Sequence, residues 1–86
     1  MTSSIARLGD GSDHNGVIIT AASRTFINGK PAARKGDLHS CPMHGITPII
    51  SGSDRLLIEG QPAARVGDSA ACGAVITSGS PDTSAG

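Results

Sequence analysis

Apolar residues in this chain come in short runs, each closed within a few positions by glycine, asparagine, aspartate or proline. Val17-Ile18-Ile19-Thr20 is β-branched throughout and reads as a short strand. Thr25-Phe26-Ile27, Ile46-Thr47-Pro48-Ile49-Ile50-Ser51, Arg55-Leu56-Leu57-Ile58 and Ala74-Val75-Ile76-Thr77-Ser78-Gly79 read the same way. Pro48 lacks the N–H a central ladder needs, which puts its strand at an edge or an irregularity. No stretch keeps helical periodicity for ten residues, so the pattern predicts strands and tight turns throughout. Asp10 to Gly16 is dense in turn formers, and Asn28-Gly29 is a hairpin signal. After it, Pro31-Ala32-Ala33-Arg34 is too short for a self-supporting helix before Gly36. The chain is expected to return there as a strand around Arg34-Lys35.

One phrase occurs twice. Asn28-Gly29-Lys30-Pro31-Ala32-Ala33-Arg34-Lys35-Gly36-Asp37 and Glu59-Gly60-Gln61-Pro62-Ala63-Ala64-Arg65-Val66-Gly67-Asp68 are 31 residues apart and identical at seven of ten positions. One structural unit has been built twice. The openers His14-Asn15-Gly16-Val17-Ile18-Ile19, His44-Gly45 leading to Ile49-Ile50, and Cys72-Gly73 leading to Val75-Ile76 suggest three roughly equivalent faces, the last incomplete. The fold class expected is all-β: a small unit of short hairpins with pseudo-three-fold symmetry. In each repeat, Arg34 with Asp37 and Arg65 with Asp68 are expected to fix the turn by a hydrogen-bonded ion pair.

Composition changes this picture in one respect. The 86 residues make a single domain, expected to span 1–86 with ends fraying at about 1–7 and 79–86 and no extension domain. Phe26 is its only aromatic residue, much of the 37% apolar content is alanine, and twelve glycines add unfolded-state entropy. Burial alone leaves such a chain marginal. Seven acidic and seven basic residues cancel, with no basic cluster to favour a nucleic-acid partner. No signal-peptide run and no membrane-length apolar stretch is present, so synthesis in the cytoplasm is expected.

A metal supplies what the core lacks. His39-Ser40-Cys41-Pro42-Met43-His44 puts three nitrogen or sulfur donors within six residues, and His14 and Cys72 open the other two faces. A structural zinc site needs four such donors in a tetrahedron. Openers led by His14, His44 and Cys72 would converge at one apex with His39 beside them, giving three histidines and one thiolate. Cys41 aligns with Cys72 across the repeat and is the alternative thiolate; Cys72 is preferred because it brings in the third segment. Zinc in small metal-dependent folds contributes on the order of 10–16 kcal/mol, which exceeds anything an alanine-rich core offers. Four protein donors leave no place for an activated water. Ser12 or Ser40 with His39 and Asp37 lacks the context of a nucleophile, so no enzyme is expected.

The tetrapeptide Pro-Ala-Ala-Arg, twice with its Gly-Asp, together with Cys41-Pro42-Met43-His44-Gly45 and Cys72-Gly73, resembles the PAAR-repeat proteins from end to end. The resemblance implies a conical β-structure with a zinc ion held at its tip by three histidines and one cysteine. Carried over, these are His14, His39, His44 and Cys72. It also implies a structural role. The base would bind the blunt end of a homotrimeric spike of the VgrG type, one chain per trimer, in a type VI secretion system. The cone would sharpen the spike for membrane puncture and be expelled with it and any effectors it carries. By itself the protein is expected to be a monomer. A contractile phage tail spike tip and a free-standing zinc-stabilised binding module are the alternatives.

Overall fold

The structure is a computed structural model and describes residues 3–42 and 44–85. Its strands are short: β1 (Ser3–Ser4), β2 (Val17–Ile18), β3 (Phe26–Ile27), β4 (Lys30–Pro31), β5 (Leu38–Cys41), β6 (Gly45–Pro48), β7 (Leu57–Ile58), β8 (Gln61–Pro62) and β9 (Ser84–Ala85). No helix occurs among the described residues, so the all-β class holds.

Two of the hairpins follow directly from their turn residues. In β3-β4, Ile27 pairs with Lys30; in β7-β8, Ile58 pairs with Gln61. Both central residues of each turn have positive φ, 54° and 79° at Asn28-Gly29 and 52° and 85° at Glu59-Gly60. That is the turn whose twist matches the flanking strands. It also corrects one expectation: the returning strand is Lys30–Pro31, and Lys35 lies in a turn. A two-residue loop forces the residues immediately after it into register. Pro48, as expected, lies on an edge strand, β6 of the three-stranded sheet β2-β5-β6.

A third hairpin is assembled from the two ends of the chain. β1 pairs antiparallel with β9, Ser3 opposite Ala85 and Ser4 opposite Ser84. Of the segments expected to fray, Ser3–Ser4 and Ser84–Ala85 are paired and Ile5, Ala6, Ser80 and Ala85 are buried; residues 1, 2 and 86 lie outside the described residues.

The pseudo-three-fold relation is complete, because Arg7-Leu8-Gly9-Asp10 is a third copy of Arg34-Lys35-Gly36-Asp37 and Arg65-Val66-Gly67-Asp68. At its centre three backbones bond in a closed cycle. Ala33 N–H donates to the Ala6 carbonyl at 3.0 Å, Ala64 to Ala33 at 3.0 Å, and Ala6 to Ala64 at 2.9 Å. A second cycle joins Leu8 N–H to Pro31, Lys35 to Pro62 and Val66 to Ser4, each at 2.8 Å. Ala6, Ala33 and Ala64 are wholly buried and pack with Ile18, Ile49 and Ile76, one isoleucine from each unit. Ile5, Ala32 and Ala63 form the next layer, with Ala22, Ile58 and Ala85. Alanine is thus demanded by the cycle: three strands approach one axis closely enough to bond, and only a methyl fits between them.

Each Arg-x-Gly-Asp turn closes on itself. The aspartate Oδ2 accepts the arginine backbone N–H at 2.7, 2.8 and 2.7 Å for Asp10, Asp37 and Asp68, and the guanidinium Nε at 3.0 Å in all three. The Oδ1 atoms accept hydroxyls of Ser78, Thr20 and Ser51 from the neighbouring segments. Bidentate pairing first raises each guanidinium above its ordinary value, against a smaller effect of burial. The expected ion pairs are present, and they also tie each turn to an adjacent segment.

Candidate metal centre

Past each aspartate the chain enters a second hairpin. In the first unit Gly11 bridges Val17, in the second β5 pairs with β6, and in the third Ser69 bridges Val75. Ser12 bridges Ile76, Ile18 pairs with His39, and Ile49 bridges Ala70, so the three hairpins stand around the axis. The fourth residue after the aspartate is His14, Cys41 or Cys72, the same place in each unit. The middle hairpin is the longest, and its turn adds His44.

These four side chains converge. One ligand atom from each of His14, Cys41, His44 and Cys72 lies within 4.8 Å of every other. Cys41 Sγ is 3.5 Å from His44 Nδ1 and 3.8 Å from His14 Nδ1. The two imidazoles are tilted at 34° with centroids 5.5 Å apart. Tetrahedral zinc with sulfur at about 2.3 Å and nitrogen at about 2.0 Å sets a sulfur and a nitrogen about 3.6 Å apart. The donor set and its spacing therefore fit a closed tetrahedral ion. Both cysteines are free thiols, as ligation requires. Asp13 supports the arrangement from outside: its Oδ1 accepts the Val75 N–H at 2.9 Å and faces His14 Nε2 at 3.9 Å.

Of the expected donors, the structure brings together His14, His44 and Cys72, and adds Cys41 beside rather than instead of Cys72. His39 stands outside the group. It lies on β5 two residues before Cys41, which on one face of a strand is a step of about 6.6 Å toward the core. Its Nε2 is 2.8 Å from Ser12 Oγ, its Nδ1 has no hydrogen-bond partner among the described residues, and the ring is 1% exposed. Burial first, then the neighbouring His14, holds it below the ordinary histidine range, which favours the neutral ring. The spacing of four residues after each Arg-x-Gly-Asp, Arg7-Leu8-Gly9-Asp10 included, is the sequence signal that groups His14, Cys41 and Cys72; His44 carries no such mark.

Gly16 is what lets the first hairpin pass His39. A Cβ there would lie 2.5 Å from His39 Nε2 and 2.5 Å from the Ser40 carbonyl. At the outer layer the Cys72 thiol is held below its ordinary value, first by the Thr47 hydroxyl and then by the Ala74 N–H. Both effects favour the form that binds a metal. The Thr47 hydroxyl has no hydrogen-bond partner of standard geometry among the described residues.

The profile of the family described as PAAR motif matches residues 8–78. No curated protein matches the chain.

Proposed function

The chain belongs to the PAAR-motif family of spike-tip proteins, and on that premise we propose that it caps the end of a homotrimeric secretion spike as a zinc-tied structural tip. The observation that carries this reading is the closed three-fold cycle through Ala6, Ala33 and Ala64. A single chain with three similar faces can present the same surface to each subunit of a trimer, whereas an asymmetric monomer can meet only one. The docking end would be that of the β3-β4, β7-β8 and β1-β9 pairs. Phe26 and Leu57 occupy equivalent positions there, 59% and 63% exposed, and such side chains gain most from a partner.

The zinc would be held by His14, Cys41, His44 and Cys72. It would cross-link the three hairpins beyond their shared layer of Ile18, Ile49 and Ile76, and with four protein donors it keeps no position for a reactive water. Puncture then follows mechanically. Short hairpins locked to one ion give an end with few loops to deform when the spike is driven forward.

The test is native mass spectrometry of the chain mixed with a candidate trimeric spike. One chain per trimer with one zinc is the expected assembly. A zinc-loaded chain that binds no member of a panel of related spikes would leave a free-standing metal-stabilised module. Three chains per trimer would contradict the three-faced cap.

A further inference from the structure

Cys41 and Cys72 come from neighbouring hairpins, the second and third, whose backbones are joined by the Ile49–Ala70 bridge and by the Ala71 N–H on the Pro48 carbonyl at 2.8 Å. Their sulfurs lie within 4.8 Å of each other. A disulfide sets sulfurs about 2.05 Å apart, so joining them takes about 3 Å of movement, shared between two rotatable side chains. The two thiols differ in access: Cys41 is 2% exposed, and Cys72 is half-buried. A three-histidine site with one thiolate has no such pair.

Resting on the reading that these four donors hold zinc, we propose that the site is a thiol–disulfide switch in which oxidation joins Cys41 to Cys72 and expels the metal. The oxidant is a low-molecular-weight disulfide such as oxidised glutathione. The more accessible Cys72 thiolate attacks one of its sulfurs, forming a mixed disulfide and releasing one glutathione thiolate. The Cys41 thiolate then attacks the Cys72 sulfur, the Cys41–Cys72 bond forms, and the second glutathione thiolate leaves. Two electrons pass from the protein sulfurs to the glutathione disulfide; the zinc, which has no redox chemistry, departs as a divalent cation balanced by the two thiolates. His14 and His44 alone are too few to retain it.

The consequence is directional. In reducing surroundings both thiolates hold the metal and all three hairpins are tied. In oxidising surroundings a covalent bond joins the second and third hairpins, while the first, carrying His14, loses its metal tie and keeps only its backbone bridges and the Asp13–Val75 hydrogen bond.

The experiment uses the full zinc-loaded chain. Native mass spectrometry of the reduced protein first records bound zinc. Oxidised glutathione is then titrated in, zinc release is followed with a chromogenic chelator, and the protein is denatured, alkylated and mapped. The expected result is complete loss of bound zinc in step with a monomeric product that is lighter by two hydrogens. That product has no alkylatable cysteine, its Cys41 and Cys72 peptides are joined, and reductant with zinc reverses the change. Zinc retained through the titration, stable glutathione on Cys72, or a bond between two chains would overturn the switch. A reduced chain that takes up no zinc would overturn the reading of the site on which it rests; zinc uptake without the internal cross-link overturns the switch alone.

Discussion

Ala6, Ala33 and Ala64 have no solvent exposure, and their backbones bond to one another around the axis. A larger side chain at any of them must push three strands apart, so Ala33→Leu is expected to lower stability by about 3 kcal/mol or to prevent folding. Urea denaturation of the zinc-loaded protein measures it; a change below about 1 kcal/mol would mean the axis is looser than described. Glu59 works differently. It joins two units by accepting the Arg24 N–H and the Thr25 hydroxyl, with Arg34 at 3.8 Å. The Arg24 N–H first, then the Thr25 hydroxyl, holds its carboxyl below the ordinary glutamate range. The stabilisation is therefore full above that ordinary range and lost as pH falls through the lower, folded-state value. Glu59→Gln should be less stable than the parent at neutral pH, and the difference should shrink as pH falls below the ordinary glutamate range, read by urea denaturation across pH. At this scale the sequence shows the two Pro-Ala-Ala-Arg copies plainly. The third is masked because Ser4-Ile5-Ala6 replaces Pro-Ala-Ala, leaving only Arg-x-Gly-Asp as its mark.

At the scale of the element, turn chemistry decides most of the fold. Asn28-Gly29 announces its hairpin because positive φ at both positions selects those residues, and Glu59-Gly60 follows by repetition. The donor hairpins are harder to read. Their lengths differ, and His39 and Cys41 project from the same face of one strand at different depths, so donor type alone does not say which of the two reaches the level of His14 and Cys72. Gly16 tests that layering. In Gly16→Ala the new methyl meets the His39 ring and the Ser40 carbonyl, so the first hairpin must move and take His14 with it. A loss of about 2 kcal/mol in stability is expected, together with weaker zinc binding measured by chelator competition. Unchanged zinc affinity would place His14 outside the metal site. The β1-β9 pair makes a separate prediction. Joining its two strands through a short Asn-Gly-containing turn and reopening the chain at Glu59-Gly60 should give a permuted protein that folds and binds zinc with near-parental affinity, checked by circular dichroism and metal titration.

Across the whole molecule, the three units form one body about 29 × 27 × 21 Å in extent, with the paired strands β3-β4, β7-β8 and β1-β9 at one end of the units and the donor ring in the hairpins beyond the aspartates. The all-β class is legible from the short strands, and a His/Cys cluster able to hold a metal is legible from the donors that open the units. The pairing of β1 with β9 that completes the third unit is not, because two-residue strands so far apart in sequence carry no local signal of each other. The central claim is that this internal three-fold sits on an external one, with the donor ring facing away from the spike. Electron cryomicroscopy of the spike with its bound chain, reconstructed without imposed symmetry, tests it most directly. The account predicts one chain on the trimer axis, with Phe26 and Leu57 against the spike and His14, Cys41, His44 and Cys72 farthest from it. A chain bound off the axis, or with its donor ring buried against the spike, would contradict it.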